Sequence, residues 1–217
     1  MRLWWGVAVC AATTVAGCGD TAAPSLLRGE PAGYLLTVDQ LVSPDFTVDI
    51  APHQLGVTDI AGRDAAVAKQ LGSAGFLAGA AEEFFRAAAS LAEANGPIQV
   101  RDAVEEFSST SGAGVIYAAD TARLDAVAGA TAISTGALGN EAHATTRNAT
   151  ASSGTMAVEI TVEWRVGNLV DVIVVRGRAG GTRLDDALLL AHRQTVAELG
   201  LSTARASRAA TATPSAG

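Results

Sequence analysis

An α+β fold, one antiparallel sheet with helices packed on it, is what the sequence predicts for residues 34–201. Three observations carry that reading. Met156, Val158, Ile160, Val162 and Trp164 alternate with Ala157, Glu159, Thr161, Glu163 and Arg165, the period-two pattern of a half-buried strand. Gly167-Asn168 then supplies a tight turn, and residues 169–175 run back as a more fully apolar strand, which closes a hairpin. Beyond a Gly-rich stretch, Leu184, Leu188 and Ala191 fall on one helical face, so a helix over 183–199 should pack across the hairpin, with Trp164 in the core.

The remaining elements follow in chain order. Residues 46–50, Phe-Thr-Val-Asp-Ile, alternate and then meet Pro52, which reads as a strand ending at a sheet edge. Asp64 to Leu71, with Val67 and Leu71 four apart and Gly72 behind, reads as a short helix. Across 78–94 local propensity favours a helix that stops at Asn95-Gly96-Pro97, although Glu82-Glu83-Phe84-Phe85 also suits one half of a hairpin with 98–107. Both readings stay open. Ser109 to Leu124 has Val115, Ile116, Ala119 and Leu124 near helical spacing, and Thr182 to Asp185 can form a capping box for the last helix.

The amino terminus carries a different signal. Arg2 precedes the apolar stretch from Leu3 to Ala12, too short to span a bilayer, and this meets Val15-Ala16-Gly17-Cys18. That four-residue box resembles the lipobox of bacterial lipoproteins. The resemblance implies that residues 1–17 are a signal peptide removed on export, and that Cys18 takes a diacylglyceryl group, becomes the first mature residue and anchors the chain in the cell membrane on its extracytoplasmic side. Two or more acyl chains hold firmly where one does not. Residues 18–33, rich in Pro, Gly and small polar side chains, read as the lipidated tether, and 202–217, with no large apolar side chain, as a disordered tail.

Charge and chemistry narrow the function. The 217 residues carry a formal charge of −7, and loss of Arg2 makes the exported chain more acidic, which argues against binding nucleic acid. Cys10 leaves with the signal peptide and Cys18 is taken by lipid, so no disulfide is expected. His53, His143 and His192 have no ligand-spaced neighbours, and Glu141-Ala142-His143 reads as a surface loop, so neither metal nor cofactor is expected. Gly72-Ser73-Ala74-Gly75 imitates a nucleophile elbow but lacks its first glycine and reads as a helix-ending turn. The adjacent acid pairs Glu82-Glu83, Glu105-Glu106 and Asp185-Asp186 read as solvated faces or caps, and no catalytic residue is assigned.

One segment invites a ligand. Arg176, Arg178 and Arg183 flank Gly177 and Gly180-Gly181 at the start of the last helix, where guanidiniums, backbone donors and the positive helix end could hold a carboxylate or phosphate. Capping and local pairing with Glu163, Asp185 and Asp186 explain the same residues without a ligand.

The hairpin from Glu163 through Trp164-Arg165-Val166-Gly167-Asn168-Leu169-Val170, followed by the Ala-rich stretch from Ala187 to Glu198, resembles the end of small extracytoplasmic sensor-like domains of actinobacterial lipoproteins and receptor-kinase ectodomains. The resemblance covers about the last quarter of the chain and implies an antiparallel sheet with helices on it, which favours the hairpin reading of 78–107. It transfers no catalytic residue. The expected function is a noncatalytic, membrane-anchored lipoprotein that binds a protein partner or a small anionic ligand; the competing expectation is an envelope hydrolase with an unrecognised site.

Overall fold

The alternating hairpin of residues 156–178 lies inside a seven-stranded antiparallel sheet. The structure, a computed structural model, describes residues 26–86, 94–150 and 154–211. Its strands are β1 (Thr47–Leu55), β2 (Phe76–Phe85), β3 (Pro97–Phe107), β4 (Thr131–Ile133), β5 (Glu141–Thr150), β6 (Met156–Val166) and β7 (Leu169–Arg178). Its helices are α1 (Val57–Ala61), α2 (Ala65–Ala74), α3 (Thr110–Asp125) and α4 (Leu184–Thr211). The sheet runs β1-β2-β3-β7-β6-β5-β4, two antiparallel meanders joined where β3 pairs with β7. The signal-peptide residues and Cys18 lie outside the described residues.

Alternation decides the two faces. Val158, Ile160, Val162, Trp164 and Val166 point one way, join Phe84, Val100, Val104, Leu169, Ile173 and Val175, and are covered by Ala187, Leu190 and Ala191 of α4. Leu184 and Leu188 pack at the margin of that core, so the helix lies across the hairpin as the sequence predicts. The opposite face is only half covered: Phe107 and Val170 meet Leu71 of α2 and Ala113, Ile116 and Tyr117 of α3 in a second, smaller core. Beyond α3 no described element covers the sheet.

Several boundaries differ from the sequence reading. Residues 78–85, open between helix and hairpin in the sequence, are the hairpin strand, because β2 pairs along its length with β3 on one side and β1 on the other and buries Ala80, Ala81 and Phe84. Ladder pairing and burial outweigh a helix propensity of a few tenths of a kcal/mol per residue. Residues 87–93 of that stretch lie outside the described residues. The first strand does not end at Pro52 but passes it to Leu55; as an edge strand with register shifts near the proline, it needs no donor there. Helix α2 is capped by Asp64 and stops at Gly75, in the left-handed region at φ +77°, three residues beyond the expected stop.

Both expected ends of the domain also move. Leu27 is buried, and its backbone N–H and carbonyl are both held by the Asn168 side chain, at 2.6 and 3.0 Å. Tyr34, Leu35 and Leu36 follow it into the core, so the described part of the expected tether is packed structure. At the other end α4 continues to Thr211, since its Ala-rich turns keep backbone hydrogen bonds where little can be buried. Its cap is shifted by one residue: Asp186 accepts from the Arg183 N–H at 2.9 Å, while the Thr182 hydroxyl donates to the Gly96 carbonyl.

Candidate functional site

The open half of the second face is a lattice of cross-strand rows. One row runs Gln99, Arg176, Glu159, Arg147 across β3, β7, β6 and β5; the next runs Arg101, Val174, Thr161, Thr145. Period-two alternation puts all eight side chains on the same side. Leu124 at the end of α3 and Val127 and Ala130 behind it form a wall beside them, and Glu83 closes the row at β2. The cavity between them holds about 290 Å³ and has a floor of Val172 and Val174. That size is at the lower end of small-molecule sites, as is common for a half-open groove.

Charge in the cavity is arranged around Glu159. Its two carboxylate oxygens are shared between Arg147, whose Nε donates at 2.5 Å, and the Nε of Arg176. Burial pulls the Glu159 carboxyl up, but the two guanidiniums outweigh burial and hold it below the ordinary carboxylate range. Arg176 also donates to Gln99 at 3.3 Å, Gln99 donates to Glu83 at 3.3 Å, and Arg101 stands 3.7 Å from Glu83. Three guanidiniums face two carboxylates, which leaves one positive charge. The arginines keep 41–55 % of their side-chain surface exposed, against 13 % for Glu159.

The arginine and glycine segment is divided by the structure. Arg176 lines this cavity, whereas Arg178 donates to the Ala94 carbonyl at 3.3 Å and to the Asn95 side chain at 3.4 Å. Arg183 is exposed at the other end of the segment and lines a separate groove with Arg86 and Asp186. The glycines serve close packing: a Cβ at Gly177 would stand 2.1 Å from the Thr182 hydroxyl, and one at Gly181 2.8 Å from the Ala94 carbonyl. Glu163, expected to neutralise an arginine, is instead buried beneath α3.

Arg101 and Arg147 escaped the sequence reading because they lie far from Arg176 in the chain. Strand pairing alone assembles them. The signal available was parity: Arg147 sits in β5 in register with Glu159, which itself faces Arg176.

The acid pairs are also corrected. Glu82, Glu106 and Glu163 are buried, not solvated, as are Asp102, Asp171 and Glu198. Glu82, Asp102, Asp171 and Glu198 share the α4 side of the sheet; burial pushes Glu82 up to about 8, and Asp102 and Glu198 up to about 7, and holds Asp171 well above its ordinary value. Under α3, burial likewise raises Glu163 to about 8 and Glu105 to about 7, with Arg123 opposing. Asp186 is the exception and does cap a helix. His143 lies in β5 rather than in a loop, its Nε2 2.8 Å from Asp125. Gly72-Ser73-Ala74-Gly75 ends α2. Among the described residues there is no group of three or more acidic, histidine or cysteine side chains placed to hold a metal ion, and no helix is long and apolar enough to cross a membrane.

No protein-family model matches this chain, and no curated protein matches it in sequence. Among solved structures it is similar to the extracellular domain of PknH from Mycobacterium tuberculosis, at 11% sequence identity and a TM-score of 0.45, over 79% of this chain and 94% of that one.

Proposed function

We propose that this protein is a noncatalytic, extracytoplasmic binding domain, anchored in the membrane through lipid on Cys18, and that its ligand site is the cavity on the open half of the sheet. One observation carries the site: β3, β7, β6 and β5 present an uncovered apolar floor at Val172 and Val174, ringed by three partly exposed arginines. Exposed apolar surface set among convergent polar groups is the usual composition of a small-molecule site. The lipobox-like residues 15–18 support the anchor and the compartment.

The hydrolase alternative finds less support. Among the described residues, the hydrogen bonds of His53 and His143 run to the Ala51 carbonyl and to Asp125, and neither is to a hydroxyl or thiol. The raised carboxyls lie under α3 and α4 and none of them lines the cavity, although Glu163 pairs across the strands with Val172 of its floor.

A thermal-shift screen of the full chain against a panel of small metabolites tests the site, run in parallel with Val174→Trp, which fills the floor. The expected result is a class of compound that raises the melting temperature of the wild type and not of the filled variant. Compounds that stabilise both equally, or none at all, would remove the cavity as the site; turnover of generic ester, phosphate or peptide substrates would restore the hydrolase.

A further inference from the structure

We infer that the cavity's ligand is an amphipathic small molecule with a single oxyanion head, a carboxylate or a phosphate monoester, on an apolar body. The inference rests on the cavity being the ligand site and adds the chemistry of what enters it.

The head follows from the donors. Arg147 commits only its Nε to Glu159, Arg176 commits Nε and one Nη, and Arg101 touches Glu83 only at 3.7 Å. Among the described residues the other Nη groups meet no acceptor, and they belong to residues that remain about half exposed. Guanidinium forks of this kind match the paired oxygens of a carboxylate or phosphate. The single unbalanced positive charge is matched by one carboxylate, exceeded modestly by one phosphate monoester at about −1.5 to −2, and exceeded further by several anionic groups.

The body follows from the floor and wall. Val172 and Val174 are half-buried and face the cavity, and among the described residues Leu124, Val127 and Ala130 stand alongside. A free inorganic anion would leave this surface wet; an acyl chain or ring covers it and removes it from water. A cation is disfavoured by the three arginines, and a neutral amphiphile forfeits the fork donors.

Isothermal titration of the full chain with octanoate, octyl phosphate, octanol, octyltrimethylammonium and acetate tests this. Octanoate or octyl phosphate should bind at least tenfold tighter than octanol, with acetate and the ammonium showing no binding, and the comparison of the first two separates carboxylate from phosphate heads. Affinity should fall with salt and drop at least tenfold in Arg147→Ala and Arg176→Ala, while Arg147→Lys restores part of it and Arg183→Ala leaves it unchanged. Melts of each variant confirm folding. If octanol binds as well as octanoate and Val174→Trp abolishes both, the site stands and the oxyanion inference fails. If nothing in the series binds, or the filled variant binds as the wild type does, both fail.

Discussion

The carboxyls of Glu198 on α4 and Asp171 on β7 are both buried and close enough to raise Asp171, and among the described residues no donor reaches any of their four oxygens. Burial and mutual repulsion both disfavour ionising the pair together, so the two carboxyls hold protons more tightly in the folded state than in water. Asp102 lies close enough to raise both, and it accepts the Leu36 N–H at 2.7 Å, while Glu82 feels Asp102 from β2. Helix α4, the segment around Leu36 and the middle of the sheet therefore meet at a cluster of buried acidic side chains.

Stability should consequently fall as pH rises. The unfolded carboxyls ionise near pH 4, whereas the folded ones hold their protons to about pH 7 or 8, so between those limits the folded state binds more protons than the unfolded one. The stabilisation is complete below about pH 4 and lost as pH passes 7 to 8. Thermal melts from pH 5 to pH 8.5 should show a steady decline, and Asp171→Asn, whose amide donates without titrating, should flatten it. A melting temperature that rises over this range would show that the cluster is ionised in the folded state.

Much of this fold was legible, and the reasons are local. The hairpin from Met156 to Arg178 announces itself because period two, a glycine turn and β-branched residues agree, and the only positive φ in its turn falls on Gly167. The stretch over 78–85 was not legible, since its alanines and glutamates favour a helix that only pairing with β1 and β3 overrides. Leu27 looked like tether because its partner, Asn168, lies 141 residues away.

The acidic cluster had a signal that hydrophobic counting ignores. Gln194 and Glu198 continue the face of α4 that holds Ala187 and Ala191, and Asp102 stands between Val100 and Val104 on the core side of β3. A polar residue at an apolar position marked the cluster in advance. The cavity was half visible: Arg176 was named, but its companions Arg101 and Arg147 needed the strand order.

Trp164 is fully buried between the sheet and α4, opposite Ala142 and Asp171 in neighbouring strands. Trp164→Ala should destabilise the protein by about 3 to 5 kcal/mol, the range for losing a large aromatic from a packed core. Urea denaturation followed by far-UV circular dichroism measures it, and a loss under 1 kcal/mol would mean that the ring is not packed as described.

Removing the helix cap should cost less. Asp186 accepts the Arg183 N–H, so Asp186→Ala should lower stability by about 1 kcal/mol and fray the first turn of α4. Thr182→Ala removes a donor to the Gly96 carbonyl instead. If Thr182→Ala frayed the helix and Asp186→Ala did not, the cap would lie one residue earlier, as the sequence alone suggests.

If Cys18 carries lipid as proposed, Asn168 and Cys18 together would set how far the domain can stand from a membrane. The Asn168 side chain accepts from the Leu27 N–H and donates to the carbonyls of Leu27 and Phe107, all buried, so Asn168→Ala strips three backbone groups of their partner and should cost about 2 kcal/mol or more. With Leu27 docked and Cys18 lipidated, residues 19–26 can reach at most about 30 Å. The domain would then be held close to the lipid surface. Replacing Cys18 with Ser should release the protein from the membrane fraction, and retention with normal cleavage would refute the anchor. In the anchored protein, Asn168→Ala should free Leu27 to Leu36, lengthen the reach and open new protease sites there at temperatures where the rest of the domain stays folded. Cleavage as slow as in the wild type would show that Leu35, Leu36 and Tyr34, rather than Asn168, hold this segment down.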